Sequence, residues 1–214
     1  MNPMFIPFAG LAAALAVAEP GPLPTEGFLA PPAETLSAPA DGKEPSSDEP
    51  KVEASPVRGS SIERVRATLA VDAPADKVRG AVFDFARYPD FMPGYKRATV
   101  LRVNPDGSRL VQFEIEQMGG MVKLWMRVDI AAGRREGQAE VYDGKLTEGN
   151  VKAFQARWKI EPMDNGKTKL AIESYVDPDI AIAPSGMVNK RAREGVRTAI
   201  LALKSRSEGR SAAR

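Results

Sequence analysis

The chain has no histidine and no cysteine among its 214 residues, and those two absences limit its chemistry. Without cysteine there is no thiolate nucleophile, no disulfide and no thiolate-held zinc or iron–sulfur centre. Without histidine there is no imidazole base, no Ser-His-Asp triad and no histidine-ligated metal. Acid–base or nucleophilic work would fall to Asp, Glu, Lys, Tyr, Ser or Arg. Ser174 is the one polar side chain on the inward parity of a predicted strand. Asp84 lies on a predicted helix, where a carboxylate ordinarily caps the helix or faces water. Asp177 and Asp179 flank Pro178, but calcium takes six or more oxygen ligands and no loop here has that pattern. There is no GxGxxG, phosphate loop or GxSxG. No catalytic residue, metal ligand or cofactor is assigned.

The elements that would carry such groups are legible from periodicity. Val65, Ala67, Leu69 and Val71 alternate with polar residues and predict a first strand. Asp72-Ala73-Pro74 reads as a helix start with Asp72 as cap. Val78, Val82 and Phe85, with Ala81 beside them, give the helix one apolar face, and Pro89 disfavours helical geometry at Tyr88, so the helix should stop near Arg87. Strands follow, with turns predicted at Asp106-Gly107, Gly119-Gly120, Asp143-Gly144 and Asn165-Gly166. Four of them place apolar residues on one parity: Val111, Phe113 and Ile115; then Val122 through Ile130; then Phe154, Ala156, Trp158 and Ile160; then Leu170, Ile172 and Val176. Such alternation suits an antiparallel sheet covered on one face. Trp125 sits on the polar parity without an evident reason. A long helix closes the chain, with Ser185 as its predicted cap and Val188, Ala192, Val196, Ala199, Ile200 and Leu203 at helical spacing. About six antiparallel strands between a short and a long helix form a sheet whose apolar face the last helix must cover.

Outside these elements the composition changes. Residues 1–18 are uncharged side chains ending in Ala16-Val17-Ala18, a signal-peptide pattern that predicts export to the periplasm or beyond, although no Lys or Arg precedes the apolar run; if the segment is not a signal, the expected place is the cytoplasm. Residues 19–60 hold nine of the 18 prolines and eight acidic against three basic residues. They read as a disordered acidic spacer. Residues 61–206 form the folded domain, and 207–214 a frayed tail. From 61 onward there are 27 basic and 20 acidic residues. This charge alternates with apolar residues along strands, which suits a solvated outer face; no nucleic-acid partner is expected, and no protein partner is identifiable.

Two clusters resemble the START-like or SRPBCC superfamily, which includes lipid-transfer domains, aromatic polyketide cyclases and coenzyme-Q-binding proteins. One runs Val71-Asp72-Ala73-Pro74, Val78, Val82, Asp84, Tyr88-Pro89 and Phe91-Met92-Pro93. The other is Asp177-Pro178, Ala183-Pro184, Met187-Val188-Asn189 and Leu201 to Lys204. The resemblance implies an α+β helix-grip fold, a curved antiparallel sheet wrapped around the C-terminal helix. It also implies a pocket between sheet and helix for a hydrophobic small molecule such as a lipid or quinone. On that implication, Phe113, Ile115, Leu124, Met126, Phe154, Trp158, Ile172 and Ser174 line the sheet side. Met187, Val188, Ala192 and Val196 line the helix side, and Phe91, Met92, Met118 and Met121 stand at the mouth. The resemblance also covers cyclase-type enzymes, and a filled interior would leave an interaction module, so both readings stay open. The basic residues Lys190, Arg191, Arg193, Arg197 and Lys204 on the last helix could meet anionic lipid headgroups.

Overall fold

The structure is a computed structural model and describes residues 49–117, 120–178 and 184–210. The predicted signal peptide, residues 19–48 of the spacer, Met118, Asp179 and residues 211–214 lie outside the described residues. The chain order is β1 (Lys51–Ser55), β2 (Arg64–Val71), α1 (Ala75–Phe83), a 3₁₀ turn (Phe85–Arg87), α2 (Tyr88–Phe91), then β3 (Tyr95–Val103), β4 (Arg109–Gln117) and β5 (Val122–Ile130). It continues with β6 (Arg134–Glu136), β7 (Ala139–Gly149), β8 (Ala153–Pro162), β9 (Thr168–Asp177) and α3 (Ser185–Ser207). The nine strands among the described residues join one antiparallel sheet in the order β1-β2-β9-β8-β7-β5-β4-β3, with β6 paired to β7. This is the α+β helix-grip arrangement the sequence implies.

The inward parity of β2 is buried throughout, and its register sets Val65 opposite Ser174, Ala67 opposite Ile172 and Leu69 opposite Leu170. α3 packs closely against β2 and β9 and meets β1, α1 and α2. Its second half carries the buried contacts Val196, Ile200 and Leu203. α1 adds Val78, Ala81 and Val82. Phe85 and Tyr88 meet Phe113 in an aromatic cluster, with the Phe85 and Phe113 rings edge to face at 5.7 Å. The Tyr88 hydroxyl donates to the Val82 carbonyl at 2.6 Å, which anchors α2 beneath α1.

The structure corrects several local expectations. The spacer does not run to residue 60: Pro50 is buried and β1 pairs with β2. Val52 is the single large apolar residue in that strand, so main-chain pairing, which composition does not report, makes the element. Asp72 caps nothing; Pro74 is the N-cap of α1, and no side chain bonds there. Instead, the Asp72 N–H donates to Glu208 at 2.7 Å. α1 ends at Phe83 rather than near Arg87, because Asp84 leaves helical geometry at ψ 51°. Tyr88 is helical despite Pro89, at φ −53° and ψ −40°; burial of its ring and its bond to Val82 outweigh the local steric bias. Pro184, not Ser185, is the N-cap of α3.

Asp143-Gly144 is not a turn but the middle of β7. A Cβ on Gly144 would stand 3.1 Å from Val128 and 3.3 Å from the Trp158 ring. The glycine thus leaves room for an indole on the neighbouring strand. The tail begins later than predicted, since Ser207 is helical and buried. Lys204 is not on the solvated face: it is only 6% exposed, donates to the Ala70 carbonyl at 3.0 Å and pairs with Glu208 at 3.2 Å. Glu208 also binds Arg210. These bonds latch the end of α3 to the end of β2. No helix among the described residues is long and apolar enough to cross a membrane.

Candidate ligand-binding site

The inward residues of the sheet fall into two groups. Phe113, Met126, Trp158 and Ile172, expected to line a pocket, are buried in the packed core together with Val196. Ile115, Leu124 and Phe154 share their parity but are only half-buried. These three stand toward the end of the sheet that holds the start of β2. The start of α3 is tied to that end, because Asn189 accepts the Glu63 N–H at 3.0 Å and donates to the Ser61 carbonyl at 3.1 Å. Val188 and Ala192, on the first half of α3, are half-buried as well. Ser174 is half-buried on β9, between Val65 on one side and Ala156 on the other.

The geometry explains this division. α3 lies over β2 and β9, while α1 and α2 cover the sheet toward the start of β7 and along β3. The inner ends of β4, β5, β7 and β8 near α3's first turns receive less cover. Leu146 on β7 belongs to this half-buried set. Sequence reasoning missed it by assigning a turn to Asp143-Gly144; reading 142–146 as a strand would have put it on the inward parity. The candidate site is therefore an apolar surface from Ile115, Leu124, Leu146 and Phe154 with Val188 and Ala192, and one hydroxyl, that of Ser174.

The mouth is smaller than expected. Phe91 is half-buried against Tyr88, and the Arg206 guanidinium lies 5.5 Å from its ring centre. Arg206 is near the end of α3, some five turns from Met187, so Phe91 does not join the opening. Met92 is buried in the core. Met121 and Met187 are the exposed members, at 78% and 49%, while Met118 lies outside the described residues.

Apart from Tyr95, which pairs with Ile115 and packs on Phe113, the ionisable groups on the inner face gather at the opposite ends of β4 and β7. Arg79 of α1 reaches both oxygens of Glu140 at 2.8 Å, and Tyr142 donates to Glu140 at 3.0 Å. Burial, the largest influence on Glu140, pushes its carboxyl up, but the bonds from Arg79 and Tyr142 with the nearby charges bring it below the ordinary range. The Arg109 guanidinium lies 4.4 Å from the Phe83 ring centre, and Phe83 meets Tyr142 edge to face. This knot closes that end rather than offering an acid or base to the open one. Thr168 is buried and committed to the Ala73 carbonyl at 2.7 Å. Asp84, considered as a catalytic group, is paired with Arg206 at 2.7 Å. Asp177 faces Lys152 at 3.8 Å. No metal-holding cluster of carboxylates is present among the described residues.

Two open depressions lie away from α3. One, of about 460 Å³, wraps the end of β4 and the start of β5 from Lys96 to Trp125 and Asn150 and takes in Ile115 and Leu124 of the candidate site; the other, of about 480 Å³, follows β3 beside Ala86 and Pro89. The basic face of α3 is partly neutralised within the chain: Arg193 pairs with Glu63 at 2.5 Å, Arg197 with Glu49 at 2.8 Å and Arg191 with Glu194 at 3.2 Å.

Comparison with known families matches residues 71–204 to the family described as polyketide cyclase / dehydrase and lipid transport. The chain belongs to this family. Among solved structures, a START superfamily protein from Mycobacterium smegmatis is 25% identical with TM-score 0.58, covering 68% of this chain and 97% of that one. A STAR-related lipid transfer protein fragment from Xanthomonas axonopodis is 16% identical with TM-score 0.66, covering 76% and 95%. Human StAR-related lipid transfer protein 5 is 10% identical with TM-score 0.62, covering 76% and 83%. These likenesses show the START-like fold. A comparison with curated proteins finds no match.

Proposed function

We propose that this START-like domain binds a hydrophobic or amphipathic small molecule, lipid- or quinone-like, beneath the first half of α3, and that it carries the molecule rather than transforming it. The observation that carries this reading is the half-buried apolar set Ile115, Leu124, Leu146, Phe154, Val188 and Ala192 around Ser174. Pockets for such ligands are mostly apolar with few polar groups to orient the guest. The relatives named for lipid transfer support the same direction. A cyclase-type reaction would need an acid or base facing the open end; Arg109, Glu140 and Tyr142 are held at the other end, and Tyr95, beside Ile115, has its hydroxyl pushed up to about 12 by burial. We place the activity outside the cytoplasm on the pattern of residues 1–18; N-terminal sequencing of protein from the producing cell tests that part.

The test of binding uses the whole chain. Native mass spectrometry with organic extraction should find a bound lipid or quinone, and a fluorescent fatty acid should bind to the emptied protein. Ala192→Trp, at a half-buried position, should weaken binding at least tenfold while leaving the thermal midpoint within a few degrees. Failure of fatty acids, phospholipids and quinones to bind, or equal binding by Ala192→Trp, would overturn the proposal.

A further inference from the structure

We propose that the free edge of β3, together with the outer-face corner around Trp125, docks an extended acidic segment of a partner protein. Among the described residues β3 ends the sheet and pairs only with β4. Edge strands with unpaired main-chain groups accept an added strand unless they are blocked. This edge is apolar for its position: Leu101 is 45% exposed and Val103 is 62% exposed, and Val100 is exposed with them. Register shifts fall at Lys96 and Leu101, leaving Arg97–Val100 as the regular stretch between. The bulges limit the added strand to a short one and turn Leu101 away from the ladder.

The charge selects the occupant. Lys96, Arg97 and Arg102 line the strand. Lys96 faces Glu116 at 3.4 Å and Arg97 faces Glu114 at 4.0 Å, both across to β4. Arg102 has no ionic partner among the described residues. In the register centred on Thr99, antiparallel pairing with a second copy sets Lys96 opposite Arg102, and like charges placed so repel. An acidic strand meets Arg102 directly and competes with Glu116 and Glu114 for Lys96 and Arg97.

The surroundings supply the side-chain contacts. Both open depressions share Lys96: one accompanies β3 against Ala86 and Pro89, the other crosses β4 to Trp125. Trp125 is half-buried on the outer face, its strand held by Asn150, which accepts the Trp125 N–H at 2.8 Å and donates to the Lys123 carbonyl at 2.8 Å. Tryptophan is enriched among the residues that carry most of the energy of protein contacts. The depression at Trp125 also touches Ile115 and Leu124, whereas the one along β3 takes no residue from the ligand site under α3.

The probe is a fluorescein-labelled eight-residue peptide of alternating valine and glutamate, titrated against the whole chain and followed by anisotropy. Saturable binding is expected, at least about tenfold tighter than for the valine–lysine counterpart. Leu101→Glu and Arg102→Glu should each weaken it about fivefold or more without moving the thermal midpoint, and Trp125→Phe should weaken it as well. Amide exchange should slow in β3 on peptide addition. Equal binding of the two peptides, or slowing confined to other strands, overturns the proposal. So does a concentration-dependent dimer in sedimentation that Leu101→Glu abolishes, since a second copy would then hold the edge.

Discussion

Removing Glu208 tests the latch that fixes the end of α3. Its side chain is 5% exposed and meets Lys204 at 3.2 Å, the Asp72 N–H at 2.7 Å and Arg210. In Glu208→Ala the ammonium of Lys204 keeps its bond to the Ala70 carbonyl but loses the Glu208 carboxylate. Breaking one side of a buried pair costs about 3–5 kcal/mol. The Asp72 end of the site is open to solvent, so water can replace the carboxylate there, and the lower part of that range applies. The exposed Arg210 adds less than about 1 kcal/mol. The expected loss is about 3–4 kcal/mol, which for a domain of this size lowers the melting temperature by about 6–16 °C. Urea denaturation of Glu208→Ala, Lys204→Met and the double variant Lys204→Met/Glu208→Ala gives the coupling directly. The double variant should lose less than the sum of the singles by at least about 1 kcal/mol. A Glu208→Ala loss under about 0.5 kcal/mol, or additive singles, would refute the view that this pair holds α3 to β2.

Gly149→Ala should separate β5 from β7, because its Cβ would sit 2.6 Å from the Trp125 carbonyl oxygen and 3.0 Å from the Met126 Cα. Chemical denaturation should show a loss of about 1–3 kcal/mol, and unchanged stability would count against this close approach. Gly195 lies mid-helix in α3 with nothing near its Cβ position, so Gly195→Ala should stabilise by about 0.4–1 kcal/mol and slow amide exchange in the half of α3 that covers the ligand site. Faster exchange there would contradict the reading. Burial pushes the Tyr95 hydroxyl up to about 12, and burial, then Tyr95 and Asp84, hold Tyr88 well above its ordinary 10.0. Both favour the neutral form when folded, so their contribution is present below pH 10.0 and is lost as the pH rises from there toward about 12. Absorbance at 295 nm and urea midpoints across that interval check this, and an alkaline limb unchanged in Tyr88→Phe/Tyr95→Phe would refute it.

Local periodicity determined much of the fold. β2, β4, β8 and β9 alternate because one face of each meets the interior, and α3 repeats at helical spacing for the same reason; both patterns lie within short windows of sequence. Signals that depend on a distant neighbour were misread. Gly144 looks like a turn residue, yet its missing side chain serves Trp158 on another strand. Pro89 argues against a helical Tyr88, yet the bond to Val82 and the burial of the ring override it. Lys204 belongs by type to a solvated face, and only the fold brings Glu208 and the Ala70 carbonyl to it.

The ligand site divides the same way. Parity correctly placed Phe113, Ile115, Leu124, Met126, Phe154, Trp158 and Ile172 on one side of the sheet. It carries no information on where the covering helices stop. That boundary depends on α3 lying over β2 and β9 and on α1 and α2 closing the other end. Side chains of the same kind on the same face thus become packed core at Met126 and an open apolar surface at Leu124.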